Sequence, residues 1–114
     1  PFWGWGAASF PILYFYSNKV YAGHTHNLIL ELALSYGIPI TFLIFSSIFI
    51  IFTLSFSKIF INKSYLNTDL YERAWFSSFF VLLCTQLVDI QYFDVRISLI
   101  FWILLAGLKQ GLKY

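Results

Sequence analysis

A run of 20 residues without a charged side chain, from Ile38 to Ser57, is the feature that most constrains how this chain can fold. An α-helix rises about 1.5 Å per residue, so a helix of this length extends over about 30 Å. That length matches the hydrocarbon core of a bilayer. The sequence therefore predicts a transmembrane helix with bounds near residues 38–60.

The composition of the whole chain is also typical of a membrane protein. Of its 114 residues, 60% are hydrophobic and 11% are charged, and the mean hydropathy is +0.76. A soluble domain carries about 25% charged residues, so this chain could not cover its surface with polar groups. The net charge of +2 lacks the basic footprint of nucleic-acid binding, and we expect no nucleic-acid partner.

Two further apolar segments predict a second and a third transmembrane helix. The second, expected over residues 74–93, has an uncharged run from Ala74 to Val88 and must extend further or use Arg73 as a snorkelling end. The third, expected over residues 95–112, has a short uncharged core from Ile97 to Leu108 and needs snorkelling lysines at its end. We therefore expect an all-α membrane protein with about three transmembrane helices.

Residues 1–37, ahead of the first span, predict an external loop that ends in a short amphipathic helix. The first 25 residues are rich in aromatic residues and glycine and have no sustained period, which is typical of a membrane interface. Over residues 27–36, apolar side chains fall on one face of a helix. The opposite face carries polar side chains spaced by four residues, Asn27, Glu31 and Ser35, and we expect Glu31 to be solvated or ion-paired.

Gly37 and Pro39 predict the boundary between this short helix and the first span. Gly37 can end a helix in a left-handed conformation, and Pro39 suits the first turn of the helix that follows.

The start of the chain carries a separate expectation. The whole sequence contains no methionine, and no signal-peptide pattern follows Pro1. We therefore expect this chain to be the C-terminal piece of a longer protein.

The distribution of basic residues predicts the orientation in the membrane. With three spans, five basic residues share one side, Lys58, Lys63, Arg73, Lys109 and Lys113, and two share the other, Lys19 and Arg96. The positive-inside rule places the larger group in the cytoplasm. The loop that contains the two histidines and the turn that precedes Arg96 therefore lie together on the outer face.

His24 and His26, in the sequence His24-Thr25-His26-Asn27, are the candidates for catalysis. Ionisable side chains beside hydrocarbon cost free energy and seldom occur without a reason. An imidazole can take a proton from an attacking hydroxyl group. The alternative is that both are ordinary interfacial residues. No metal site is expected, because two histidines need at least one more ligand and the single cysteine, Cys84, lies within a span.

Arg96 is the candidate for anion binding on the same face. Its guanidinium can grip phosphate oxygens with a planar fork of donors. The alternative is that Arg96 pairs with Asp94 and only anchors the turn between the spans. We expect Asp89 to belong to that same turn.

The spacing around His26 resembles a signature of bacterial O-antigen ligases and the related O-antigen polymerases and O-oligosaccharyltransferases. His26 and Asn27 are followed by nine residues, Gly37, two residues, and Ile40-Thr41, where the family usually has glycine at the position of Ile40. The opening Pro1-Phe2-Trp3-Gly4-Trp5-Gly6 is similar to the Pro-x-x-Gly-Trp-Gly start of the family's large external loop. The Asp94-Val-Arg96 turn, followed by Trp102 and Ala106-Gly107, is similar to the family's last hairpin.

The resemblance implies a multi-pass glycosyltransferase of the bacterial inner membrane, with the histidine loop facing the periplasm. It would take a glycan from an undecaprenyl-pyrophosphate donor and transfer it to a hydroxyl of lipid A–core, a growing glycan or a protein. The reaction would need no metal or other cofactor. His26 matches the family's general base, while His24, Asn27 and Arg96 would bind substrate, and arginines would stabilise the departing pyrophosphate.

Two other classes of protein also fit the sequence. One is a non-enzymatic membrane module that packs against a partner, and the other is a fragment of a polysaccharide transporter or flippase. The sequence leaves the sugar and the acceptor open, because ligases and polymerases share these motifs.

The five-to-two division of basic residues gives the first testable prediction. Lys63 should face the cytoplasm, while His24, His26 and Arg96 should face outward. In intact cells, Lys63→Cys in a Cys84→Ser background should therefore resist a membrane-impermeant thiol reagent, whereas His24→Cys should react. Labelling at position 63 would reverse the orientation.

Overall fold

The computed structural model describes residues 2–7, 9–61, 70–89, 91 and 94–113. Its architecture is all-helical, with 79% helix and no strand among the described residues, as the sequence predicts. The helices are α1 (Ser9–Asn18), α2 (Leu28–Tyr36), α3 (Ile38–Phe56), which continues into a π-helical turn (Ser57–Ile61), α4 (Leu70–Val88) and α5 (Val95–Gly111). Pro1, residues 62–69 with the predicted cytoplasmic Lys63, and residues 90, 92 and 93 of the predicted second span lie outside the described residues.

One helix of the described chain is long and apolar enough to cross a membrane. It comprises α3 and its π-helical continuation, Ile38–Ile61, with 24 residues and a mean hydropathy of 2.2 in its apolar window. Helix α4 begins four residues before the predicted bound, because its first turn includes Glu72 and charges limit a span rather than a helix. Helix α5 has 17 residues. At about 1.5 Å per residue it is shorter than the roughly 30 Å that a span requires. The prediction of three spans is therefore not confirmed.

Helices α3, α4 and α5 pack around an aromatic core. Phe79 of α4 and Phe101 of α5 are fully buried, with ring centroids 5.3 Å apart. Phe52 of α3 stacks on Phe76 of α4 at 4.7 Å. Aliphatic side chains complete the core, namely Ile48, Ile59, Leu105 and Leu108. Close packing of these large side chains supplies van der Waals contact energy that favours association of the helices.

Contacts at the two ends of the bundle show that the helices alternate in direction. At one end, the Lys58 ammonium at the end of α3 donates to the carbonyl of Gly111 at the end of α5. At the other end, Asn27, ahead of α2 and α3, donates to the carbonyl of Leu87 at the end of α4. The His24–Asn27 loop and the end of α4 therefore lie at the end of the bundle opposite Lys58.

Polar side chains face inward in this fold, while many apolar side chains face outward. The buried polar residues come from three helices and are Glu31, Ser35, Thr41, Ser55 and Gln86. On α3, by contrast, Phe42 is 74% exposed and Phe49 is 66% exposed. A bundle in water would have the reverse arrangement, since exposed apolar surface of this extent drives association. This arrangement is compatible with lipid around the bundle, since polar groups in membrane proteins face the bundle interior.

The amino-terminal segment packs on the break between α2 and α3. The backbone N–H groups of Trp5 and Gly6 donate to the carbonyls of Leu34 and Ser35, at 2.7 and 3.0 Å. These carbonyls belong to the last turn of α2 and have no partner within a helix that ends at Tyr36. The segment therefore completes the hydrogen bonding of the helix end.

Gly37 allows this close approach of two backbone segments. Its φ of +91° confirms the predicted positive φ, although its ψ of 164° is extended rather than left-handed helical. A Cβ atom at Gly37 would overlap the backbone of Trp3 and Gly4. Pro39 lies in the first turn of α3, as predicted.

Replacement of Gly37 gives the second prediction. Gly37→Ala should destabilise the protein by about 1–3 kcal/mol through backbone strain, because the positive φ is unfavourable for alanine. The new methyl group also meets rigid backbone, which adds to this loss. Gly23→Ala is the matched control, since a Cβ there meets nothing within 4 Å. Thermal unfolding of both variants in detergent, followed by circular dichroism, measures the difference. Equal melting temperatures would contradict the packing at Gly37.

Candidate functional site

His24, His26 and Asp89 meet where the loop before α2 reaches the end of α4. The Nδ1 atom of His26 lies 3.1 Å from a carboxylate oxygen of Asp89, across 63 residues of sequence. The rings of His24 and His26 pack edge to face with their centroids 4.3 Å apart. Tertiary packing thus adds a carboxylate to the histidine pair that the sequence singled out.

The backbone of His26 has an unusual conformation. Its φ is +57°, and among the described residues Lys19 is the other non-glycine residue with a positive φ. A side chain in this region costs roughly 1–2 kcal/mol and persists where surrounding contacts hold it. The backbone N–H of His26 donates to Nδ1 of His24 at 3.4 Å, which joins the two imidazoles within the turn.

Asn27 fixes this turn between two helices. Its Oδ1 accepts from the N–H groups of Ile29 and Leu30, at 3.0 and 3.3 Å, and so caps α2. Its Nδ2 donates to the carbonyl of Leu87 at 2.9 Å, which ties the cap to the last turn of α4. Both ends of the amide therefore position the loop. A contact of Asn27 with substrate stays a prediction.

Glu31 holds the same loop through a hydrogen bond from the loop backbone. Its side chain is buried, and it accepts a hydrogen bond of 3.2 Å from the backbone N–H of Thr25. The Thr25 hydroxyl in turn donates to the carbonyl of Asn27 at 2.9 Å. The expectation of a solvated or ion-paired Glu31 is wrong, because the carboxylate is buried and its partner in the described structure is a backbone N–H group. A polar group so buried requires such a partner.

The His26–Asp89 pair is open to solvent. The two side chains are 68% and 59% exposed, so their electrostatic attraction is screened and contributes little to stability. Its chemical consequence is larger. When Nδ1–H of His26 donates to Asp89, the Nε2 atom carries a lone pair that can accept a proton from a hydroxyl group.

Arg96 pairs with its neighbour in the turn. Its Nε and a terminal nitrogen donate to the two carboxylate oxygens of Asp94, at 3.2 and 3.1 Å. The Arg96 backbone N–H also donates to Asp94 at 2.9 Å, which caps α5. The local pairing anticipated from the sequence is therefore present. In the described structure, the guanidinium contacts this carboxylate rather than His24, His26 or Asn27.

Asp89 is the site residue whose contact sequence reasoning missed. It lies between α4 and α5, as predicted, on the same connection as Asp94. Its carboxylate, however, contacts His26 rather than the other residues of that connection. Its position held a usable signal, since Asp89 is the first charged residue after the second apolar run and falls on the same predicted face as the histidine loop.

Comparison of the chain with models of protein families, with curated proteins and with solved structures finds no match.

The Asp94–Arg96 pair gives the third prediction. The Arg96 side chain, followed by its backbone N–H, holds the pKa of Asp94 below the ordinary value of 3.8. The pair and cap therefore stabilise α5 in full above pH 3.8, and this contribution is lost as the pH falls through the lowered folded-state pKa. Asp94→Asn keeps a capping oxygen and removes the charge.

The comparison to measure is the melting temperature of wild type and Asp94→Asn during acidification from neutral pH. Wild type should be the more stable protein at neutral pH, and the difference should shrink in acid. Parallel curves at all pH values would contradict the assigned pairing.

Proposed function

We propose that this chain carries the general-base end of a membrane glycosyltransferase that resembles O-antigen ligases. The enzyme transfers a glycan from an undecaprenyl-pyrophosphate donor to a hydroxyl acceptor at the outer face of the bacterial inner membrane. The observation that carries the proposal is the contact of His26 with Asp89. It places an oriented imidazole at one end of a bundle that contains a membrane-spanning helix candidate.

The acid–base step follows from this pair. Asp89 holds the proton on Nδ1 of His26, and Nε2 takes the proton of the acceptor hydroxyl on lipid A–core, a growing glycan or a protein. The acceptor oxygen attacks the anomeric carbon, and the bond from that carbon to the pyrophosphate oxygen breaks with its electron pair. His24 lies against the His26 ring, where it can contact either substrate.

Arg96 has a place in this scheme as a donor-binding residue. Its guanidinium already presents two nitrogens to one carboxylate, and a phosphate group offers the same spacing of acceptors. The side chain is 87% exposed, so its pairing with Asp94 is screened and exchange for a pyrophosphate costs little. Stabilisation of the leaving group at this position is electrostatic.

The distribution of charge supports the multi-pass orientation of the proposal. Lys58 and the carbonyl of Gly111 meet at the end of the bundle opposite His26. Lys109 lies in the last turn of α5, and Lys113 lies two residues beyond its end. The positive-inside rule then puts that end in the cytoplasm and the histidine loop in the periplasm. There the loop can meet a lipid-linked donor and a water-exposed acceptor.

Substitution of His26 tests the function and is the fourth prediction. His26→Ala in the complete protein should lower turnover by roughly 10²–10⁴-fold, because a positioned base contributes that much. Transfer of glycan from the lipid-linked donor is the assay, and insertion into membranes should be unchanged. His24→Ala is the matched control and should have a smaller effect.

Asp89→Asn separates orientation of the base from simple support of the loop. It should lower turnover and change the pH dependence of the rate, since the amide can reverse the tautomer preference of His26. Full activity in His26→Ala would sink the enzyme proposal and favour a non-enzymatic membrane module.

A further inference from the structure

We propose that His24, His26 and Asp89 form a binding site for a divalent transition metal ion, with Zn²⁺ as the fitting example. One ligand atom from each of the three side chains lies within 4.8 Å of the others. Tetrahedral zinc with bonds of about 2.0–2.1 Å places its ligand atoms roughly 3.4 Å apart. His26 Nδ1 and Asp89 Oδ1 are already 3.1 Å apart, so closure requires mainly a small movement of His24.

The chemistry of the three groups selects the class of metal. Two imidazoles and one carboxylate are a typical set for zinc and related transition metals, which leave further positions to water or substrate. Mg²⁺ and Ca²⁺ prefer sites built from oxygen alone. The sequence argued against a metal because two histidines need a further ligand and Cys84 lies within a predicted span. The fold supplies that further ligand from Asp89, 63 residues along the chain from His26.

The loop presents these ligands in a largely fixed arrangement. Asn27 caps α2 and bonds to the end of α4, while Glu31 accepts from the backbone of Thr25. These bonds hold the backbone on both sides of His26, so metal binding needs to order little more than three side chains. Because His26 and Asp89 are mostly exposed, an ion can enter from solvent and keep water in its open positions.

Occupation of the site has a consequence for catalysis that rests on the proposed function. A metal ion bound at Nδ1 of His26 replaces the contact with Asp89 that orients the general base. A metal ion bound at Nε2 occupies the lone pair that accepts the proton. Zn²⁺ should therefore act as a reversible inhibitor of glycan transfer rather than as a cofactor.

Titration with Co²⁺ tests the site without reference to activity. The purified full chain carries two histidines, both in the site, so it is prepared without an oligohistidine tag. We expect a single Co²⁺ per chain with visible absorption from the bound ion, displaced by Zn²⁺ and unaffected by Mg²⁺. His24→Gln, His26→Gln and Asp89→Asn should each weaken binding at least tenfold. Asp94→Asn, an exposed carboxylate in the neighbouring turn, is the control and should bind like wild type.

The results distinguish failure of the metal site from failure of the proposed enzyme. Absence of stoichiometric Co²⁺ binding to the wild-type chain overturns the site, even if His26→Ala is inactive in glycan transfer. Equal binding by Asp89→Asn, with helical content unchanged by circular dichroism, also overturns it. Binding that depends on all three residues supports the site. If Zn²⁺ inhibits glycan transfer and a chelator restores it, the metal and the general base both use His26. Glycan transfer at the full rate with the metal site occupied would overturn that shared use.

Discussion

The side-chain amide of Asn27 is the interaction on which the arrangement of the site depends. Its oxygen caps the first turn of α2, and its nitrogen bonds to the carbonyl of Leu87 at the end of α4. A single planar group thereby fixes the distance between two helices that are far apart in sequence. Since His26 precedes Asn27 and Asp89 follows Leu87 by two residues, the same bond brings the imidazole and the carboxylate together.

A second constraint sets the environment of this end of the bundle. Polar side chains of α2, α3 and α4 are buried, while large apolar side chains of α3 face outward. Inward-facing polar groups and an apolar exterior suit a solvent of lipid. The loop with His24 and His26 lies just ahead of α2 and α3, so its exposed groups are placed to meet water at the end of an apolar bundle. A reaction between a lipid-linked donor and a water-exposed acceptor needs such a boundary.

Local bonds, rather than strong charge pairing, hold the site in shape. The side chains of His26, Asp89 and Arg96 are largely exposed, so solvent screens their charge pairing. The backbone around these pairs is held by hydrogen bonds from the N-terminal segment, by close packing at Gly37 and by the buried Glu31. This division leaves the imidazoles and the guanidinium available to exchange their protein partners for a substrate or an ion.

Features that depend on neighbours in the chain could be predicted from the sequence. The long apolar helix α3 follows from its uncharged run, the helix break from Gly37 and Pro39, and the Asp94–Arg96 pair from a separation of two residues. The position of His24 and His26 ahead of the apolar run singled out the histidine loop but gave no third partner for it. Spacing encodes such local features because the geometry of a helix or a turn converts sequence distance directly into spatial distance.

Only the tertiary structure decided which distant groups meet. The burial of Glu31 depends on a loop that folds over α2, and no periodicity in the sequence reports that fold. The contact of His26 with Asp89 depends on the alternating direction of the helices and on the bond from Asn27 to Leu87. The sequence by itself determined an apolar helical chain with a histidine loop at one end. Packing decided that this loop acquires a carboxylate, because the free energy that aligns the helices comes from the core and not from the site.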